Sequence, residues 1–222
     1  MRRDDSIADT VLLLEHDPVV TLGRGGRPQH LLAAPAQLRE LGIELVKTDR
    51  GGDITLHAPG QLVCYPILKL PPDRRDVRRY VRDLTETMRQ LAAHFSVSAG
   101  MVDGLVGLWV DQACPEEWPG EPHARRLAKL GALGVRLSRW VSMHGFAFNL
   151  TIDLAYYSLI IPCGIREHPV TSIQQLTSLA PSVRAAAESA YVSLGRVFGA
   201  EPDELQDASG SELSQLPSRV RP

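Results

Sequence analysis

The apolar residues Val77, Val81, Leu84, Met88, Leu91 and Phe95 recur every three or four positions between Asp73 and Phe95, a helical period set among strand-like runs. A helix with one apolar stripe needs a sheet or another helix to cover it, and the flanking sequence offers strands. Upstream, "TVLLLEHDPVVTLGR" reads as two short strands broken at Asp17–Pro18. "PAQLRELGIELVKTD" reads as a short helix from Pro35, a stop at Gly42 and then a strand. "DITLHAPGQLVCYPIL" gives a strand, a Pro59–Gly60 turn and a β-rich run from Leu62 to Leu68, which predicts a hairpin.

Downstream, "GLVGLWVD" is a strand candidate, and "DQACPEEWPGEPHARR" is a loop rich in proline and charge. "KLGALGVRLSRWVSMHGFAFNL" predicts two more strands. A second helix follows in "APSVRAAAESAYVSLGRVFG", with Val183, Ala187, Ala190, Leu194 and Phe198 on one face. Strands grouped with two long helices define an α+β (mixed α/β) fold, expected as a single domain over residues 1–205. The polar stretch 206–222 is expected to be a disordered tail.

Composition narrows the function classes. The 222 residues are 44% hydrophobic, enough for a full core, and the net charge of −2 makes no general case for nucleic-acid binding. The N-terminal apolar run, Val11 to Leu14, is too short for a signal segment or a membrane span. Three cysteines, Cys64, Cys114 and Cys163, form neither a disulfide framework nor a metal-ligand pattern. A cytoplasmic protein without a metal is the expectation.

Four stretches carry chemistry. In "RGGDITLHAPGQ", two glycines after Arg50 let backbone approach a ligand closely, Arg50 could pair with a carboxylate or phosphate, and His57 follows on a strand. Lys129 stands alone in the apolar run "LAKLGA". It either snorkels from an edge or, set beside a thiol, stabilises the thiolate. "SMHGFAFNL" places His144 before Gly145, Phe146 and Ala147, either a core histidine or the wall of an apolar channel. "SLIIPCGI" holds Cys163 between a proline that fixes one side and a glycine that leaves the other open. Cys64, in "LVCYPI", reads as a core thiol and Cys114 as a loop thiol.

Taken in order, "RGGDITLHAPGQLVCYPI", "AKLGALGV", "HGFAFNL" and "IIPCGI" resemble the lipoyl(octanoyl) transferases. The resemblance runs from about Val11 to Phe198 and includes every stretch singled out above. It implies a fold like that of biotin and lipoate protein ligases, a mixed sheet flanked by helices. It implies transfer of an octanoyl group from acyl carrier protein to a lysine of lipoyl domains, namely those of 2-oxoacid dehydrogenase complexes and the H protein of glycine cleavage. No cofactor is implied. The family's cysteine falls on Cys163 and its lysine on Lys129. Its acyl-site stretches fall on Arg50, Gly51, Gly52, Asp53, Ile54, Thr55, Leu56 and His57, on Ala132, Leu133 and Gly134, and on Gly145, Phe146 and Ala147. Three departures stand out. Ala58 replaces the glycine of the usual "HGPGQ", a methyl expected to narrow the acyl pocket or shift its loop. The stretch between Val110 and Lys129 is longer than usual. Only ten residues precede Val11, so a shortened start or a missing helix is expected.

The chemistry suits the residues. A thioester exchanges onto a cysteine nearly at balance, and the acyl-cysteine stays open to an amine. A free thiol, with a pKa of about 8.5, is mostly protonated at neutral pH, so a nearby ammonium from Lys129 is its expected partner. Neutral Lys129 is also the expected base for the incoming amine, with an oxyanion hole from N–H groups near Gly164 or an Ala132–Gly134 turn. Arg75, Arg78, Arg82 and Arg89, with Arg74 and Arg79 beside them, form a candidate docking stripe for an acidic carrier protein. Three other readings stay open. They are an ATP-dependent lipoate or biotin ligase, a hydrolase pairing Cys163 with His57 or His144, and a non-catalytic protein that binds carrier or lipoyl domains.

Overall fold

The computed structural model describes residues 8–200 and 205–207. Among them the chain forms nine strands and four α-helices. The larger sheet has the order β1-β5-β9-β8-β7-β6, from β1 (Thr10–Leu14), β5 (Gln61–Ile67), β6 (Gly100–Val102), β7 (Leu105–Asp111), β8 (Leu127–Ser138) and β9 (Val141–Asn149). All its neighbours run antiparallel. The smaller sheet, β3-β2-β4, joins β2 (Val19–Leu22), β3 (Glu44–Lys47) and β4 (Ile54–His57), with β2 parallel to β3 and antiparallel to β4.

The helical period becomes α2 (Val77–His94), following the short α1 (Pro35–Glu40). Asp76 caps α2 by accepting the amides of Arg78 and Arg79 at 2.7 and 3.1 Å. Its Tyr80, Leu84, Met88 and Leu91 pack with Ala186, Ala190 and Leu194 of α4 (Val183–Phe198) over Leu62, Cys64, Leu130, Phe146 and Phe148 of the larger sheet. Gly131 lets α2 come close, because a methyl there would lie 2.6 Å from the Met88 sulfur. The helices thus cover one face of the sheet, and Val81 of α2 also reaches the cavity described below. Two pieces had no clear sequence signal, the edge strand β6 and α3 (Ile173–Thr177).

The predicted hairpin does not form. β4 pairs with β2 and β5 pairs with β1 and β9, so the Pro59–Gly60 turn carries the chain from one sheet to the other. Ile54 and Leu56 find a better apolar partner far away, a second core with Val20, Leu38, Ile43, Ile152, Leu159 and Ile160. Gly60, at φ +85°, makes the crossing possible, and its carbonyl accepts the amides of Leu150, Thr151 and Ile152 at 2.9–3.1 Å. The long loop after β7 is tied at its base by Asp111, whose carboxylate accepts the amides of Ala113, Arg125 and Arg126, each at 3.0 Å. Apart from Gln206 and Asp207, the expected tail lies outside the described residues, and Asp207 pairs with Arg184.

Candidate active site

Cys163 sits in a single 3-10 turn, Pro162–Gly164, with φ 55° and ψ 16°. That left-handed backbone is rare for a residue with a side chain and costs on the order of 1–3 kcal/mol, strain of the kind found at working sites. The turn is pinned from the side, because the Ile161 amide donates to the His30 carbonyl at 2.7 Å and Leu31 bridges to Ile160. Of the other thiols, Cys64 is fully buried in the core, where burial pushes its ionisation up, and Cys114 donates to Glu116 in the loop.

Cys163 opens onto a cavity of about 650 Å³ between the two sheets. Arg50, Gly51, Gly52 and Asp53 form one wall, continued by Thr55 and His57 of β4. Ala132, Leu133 and Gly134 of β8 and Gly145, Phe146 and Ala147 of β9 form the facing wall. Twelve of the family-implied acyl-site residues therefore surround the space beside Cys163. Ile54 and Leu56 do not, because alternation along β4 turns them into the second core, where both are fully buried. Ala58 is buried in the same core and does not line the cavity, so its methyl leaves the pocket unnarrowed.

The glycines are packing requirements. A methyl on Gly134 would meet the Gly51 carbonyl at 3.0 Å and Arg50 at 3.1 Å, and one on Gly145 would overlap the Cys64 carbonyl at 2.1 Å. Gly134 lets the loop lie flat on β8, where the Gly51 amide donates to the Val135 carbonyl at 2.9 Å, and Gly145 lets β9 lie close to β5. Ala132–Gly134 is thus mid-strand and not a turn, paired with Ala147 to Gly145. The amides of Gly164 and Ile165 donate to the carbonyls of Ile161 and Pro162, each at 3.0 Å.

Two buried cations flank the thiol. Arg50, 7% exposed, donates to the Thr21 carbonyl at 2.8 Å, to the Thr21 hydroxyl at 2.9 and 3.1 Å, and to the Gly51 carbonyl at 3.1 Å. These neutral partners hold it without cancelling its charge. Burial lowers its pKa, and nearby Cys163, Asp53 and Tyr65 pull it back up. Lys129, 4% exposed, lines a void of only about 10 Å³ that it shares with Cys163, Thr55, Asn149 and Tyr157. Its ammonium lies over the Trp109 ring, 5.0 Å from the centroid, with no hydrogen-bond partner among the described residues. Lys129 therefore shares the small void with Cys163 and does not line the main cavity.

The histidines singled out in the sequence are engaged elsewhere. Burial lowers the His57 pKa to about 4, so the ring is neutral at pH 7 and donates from Nδ1 to Gln61 Oε1 at 2.7 Å. Gln61 passes the network to Asn149 and Tyr157 at 2.9 and 3.1 Å. His144 Nε2 meets Asp49 at 2.8 Å, and Asp49 also pairs with Arg136. Among the described residues neither ring is hydrogen-bonded to Cys163, the contact that a Cys–His hydrolase would use. The sequence reading missed Tyr65, which lines the cavity and shares a 2.8 Å hydrogen bond with His16, and missed His30, which pairs with Asp53. The "LLLEH" and "CYPI" strings carried the first pair; only the fold brings the second together.

The geometry defines a class: a cavity between two sheets, with a cysteine on a left-handed turn beside buried cations. The lipoyl protein ligase A/B catalytic domain family matches residues 1–192, and the chain belongs to that family. An octanoyltransferase of Myxococcus xanthus is 44% identical over 90% of this chain, which spans 54% of that relative. An octanoyltransferase of Chloroflexus aurantiacus is 43% identical over 90% of this chain and 85% of its own length. Among solved structures, a bipartite lipoate protein ligase from Thermoplasma acidophilum superposes with a TM-score of 0.71 at 14% identity, covering 94% of this chain and 78% of that one. A lipoate-protein ligase A bound with ATP gives 0.69 at 14% identity, covering 94% and 80%. At that identity the likeness establishes the shared fold, a lipoate-ligase-like α+β architecture. The octanoyltransferase relatives, not the ligase structures, carry the argument on chemistry.

Proposed function

We propose that this protein transfers an octanoyl group from octanoyl-acyl carrier protein to a lysine of lipoyl domains through a thioester on Cys163. The observation that carries the reading is Cys163 on its left-handed turn, open to the cavity and flanked by Arg50 and Lys129. A positive charge beside a sulfur favours the thiolate, the form that attacks a thioester. The thiolate forms a bond to the acyl carbon, and the carrier's sulfur leaves. The lysine then takes the acyl group from Cys163. A cavity of about 650 Å³ lies within the usual range for small-ligand sites, about 300–1,000 Å³, and Phe146, Leu133 and Ala147 give it an apolar lining for the chain.

The acceptors in this reading are the lipoyl domains of 2-oxoacid dehydrogenase complexes and the glycine-cleavage H protein. The setting is the cytoplasm, in keeping with three unpaired cysteines and with no described helix long and apolar enough to cross a membrane. An assay with octanoyl carrier protein and an apo lipoyl domain tests the reading. Octanoylation without ATP, abolished in Cys163→Ala, is the expected result. Octanoylation that requires ATP would instead place the chain with the ligases.

A further inference from the structure

The Lys129 ammonium is buried with no hydrogen-bond acceptor among the described residues, and a charge so placed is costly unless something else receives it. The face of Trp109 receives it. The two residues stand directly opposite each other on β7 and β8, so their side chains share one face of the sheet, and Nζ lies 5.0 Å from the ring centroid. The ring is fully buried and fixed in place. Its Nε1 donates to the Leu105 carbonyl at 2.9 Å, and His168 makes an edge contact with it at 5.7 Å. Trp118 of the long loop and Ile165, two residues past the nucleophile, pack into the same apolar cluster. Gly107 keeps the lysine's path open, since a methyl there would lie 2.9 Å from Lys129 Cε. The backbone ties Lys129 to the segment that follows the Cys163 turn: its amide donates to the Pro169 carbonyl and its carbonyl accepts the Thr171 amide, both at 2.9 Å.

We propose, building on the acyl-transfer reading, that Trp109 is a positioning residue that holds the Lys129 ammonium at Cys163. A ring face attracts a cation without engaging its N–H groups in directed hydrogen bonds and without cancelling its charge. Both stay available to an anion in the small void. No carboxylate lines that void. Tyr157, which does, is hydrogen-bonded to Gln61 and Asn149, and burial pushes its ionisation up. Of the groups lining the void, that leaves Cys163 to become the anion. Arg50 is the other charge near the sulfur, and His168 meets the ring but lines neither the void nor the main cavity. Trp109 also lines neither space, so it acts on the sulfur through the lysine.

Alkylation by iodoacetamide reads the thiolate directly, and peptide masses separate Cys163 from Cys114, which serves as the internal reference. Wild type, Trp109→Phe, Trp109→Leu, Lys129→Met and the double variant Trp109→Leu/Lys129→Met are compared from pH 7 into alkali. Near pH 7, Trp109→Leu should slow Cys163 alkylation about tenfold, the scale of a desolvated cation–π contact. The gap should close in alkali, where a thiol ionises unaided. Trp109→Phe keeps a ring face and should retain most of the wild-type rate. Adding Trp109→Leu to Lys129→Met should change nothing further, because the ring acts through the lysine. A wild-type rate in Trp109→Leu, a loss equal at every pH, or the same loss with and without Lys129 would overturn the assignment. Should Trp109→Leu not fold, fluorinated tryptophan at position 109 drains charge from the ring face and keeps its shape. Alkylation must then slow with each added fluorine, and a constant rate would overturn the proposal. The acyl-transfer reading is tested apart from it: wild type that shows this pattern yet takes no octanoyl group from carrier protein would sink that reading while supporting the role of Trp109.

Discussion

Charge around one sulfur organises the site at the scale of single residues. Lys129→Met keeps most of the buried volume and removes one of two cations. It should slow loading of Cys163 by roughly ten- to a hundredfold near neutral pH, with the gap closing in alkali where any thiol ionises unaided. Stopped-flow loading at several pH values reads this directly. The buried histidines make a separate prediction. Burial holds His16, His57 and His144 below their ordinary range, His57 at about 4. Unfolded, each binds a proton near pH 6.5, so between about 6.5 and 4 the unfolded chain holds more protons than the folded one. Stability should therefore fall steadily with pH across that window, and thermal melts of His57→Gln should show a flatter slope. Cys163 and Lys129 stood out in the sequence only through the ordered stretches shared with the octanoyltransferases, since alone "IIPCGI" fits a core thiol and "LAKLGA" an edge lysine. His30 did not, since nothing local to "RPQHLL" shows that Asp53 and Gly164 will meet it.

The elements were legible in proportion to how local their causes are. α2 follows from its own period, and the β8–β9 hairpin from two adjacent apolar runs, turned by Arg139 and Trp140 at φ 52° and 62°. β4 and β5 looked like a hairpin for the same local reason, yet the second core claimed β4 and the first claimed β5. The arginine stripe on α2 is also refined by structure. Arg89 is tied to Glu86 at 2.6 Å, and Arg74 lies 3.8 Å from Asp83 and over the Phe198 ring. Arg78 and Arg82 remain exposed, beside Val77 and the cavity-lining Val81. Reversing both to glutamate should raise KM for the carrier protein, more at low salt than at high, while a small octanoyl thioester is used as before. Unchanged carrier kinetics would remove the stripe from the account.

For the whole molecule, helices on one face of the large sheet leave the other free to meet the small sheet, and the cavity is the space between them. The buried face of the helix layer serves stability, while Val81 of α2 also lines the cavity. Leu84→Ala, at a fully buried α2 position, should cost about 2–5 kcal/mol of unfolding free energy while the folded fraction still loads acyl groups. Denaturant titration beside a loading assay separates the two effects. Everything argued about proton transfer and docking depends on one covalent event at Cys163. Intact-mass spectrometry after mixing the protein with octanoyl carrier protein observes it. An adduct of octanoyl mass on wild type, absent from folded Cys163→Ser, is the result this account predicts; folded wild type that gains no mass would contradict it.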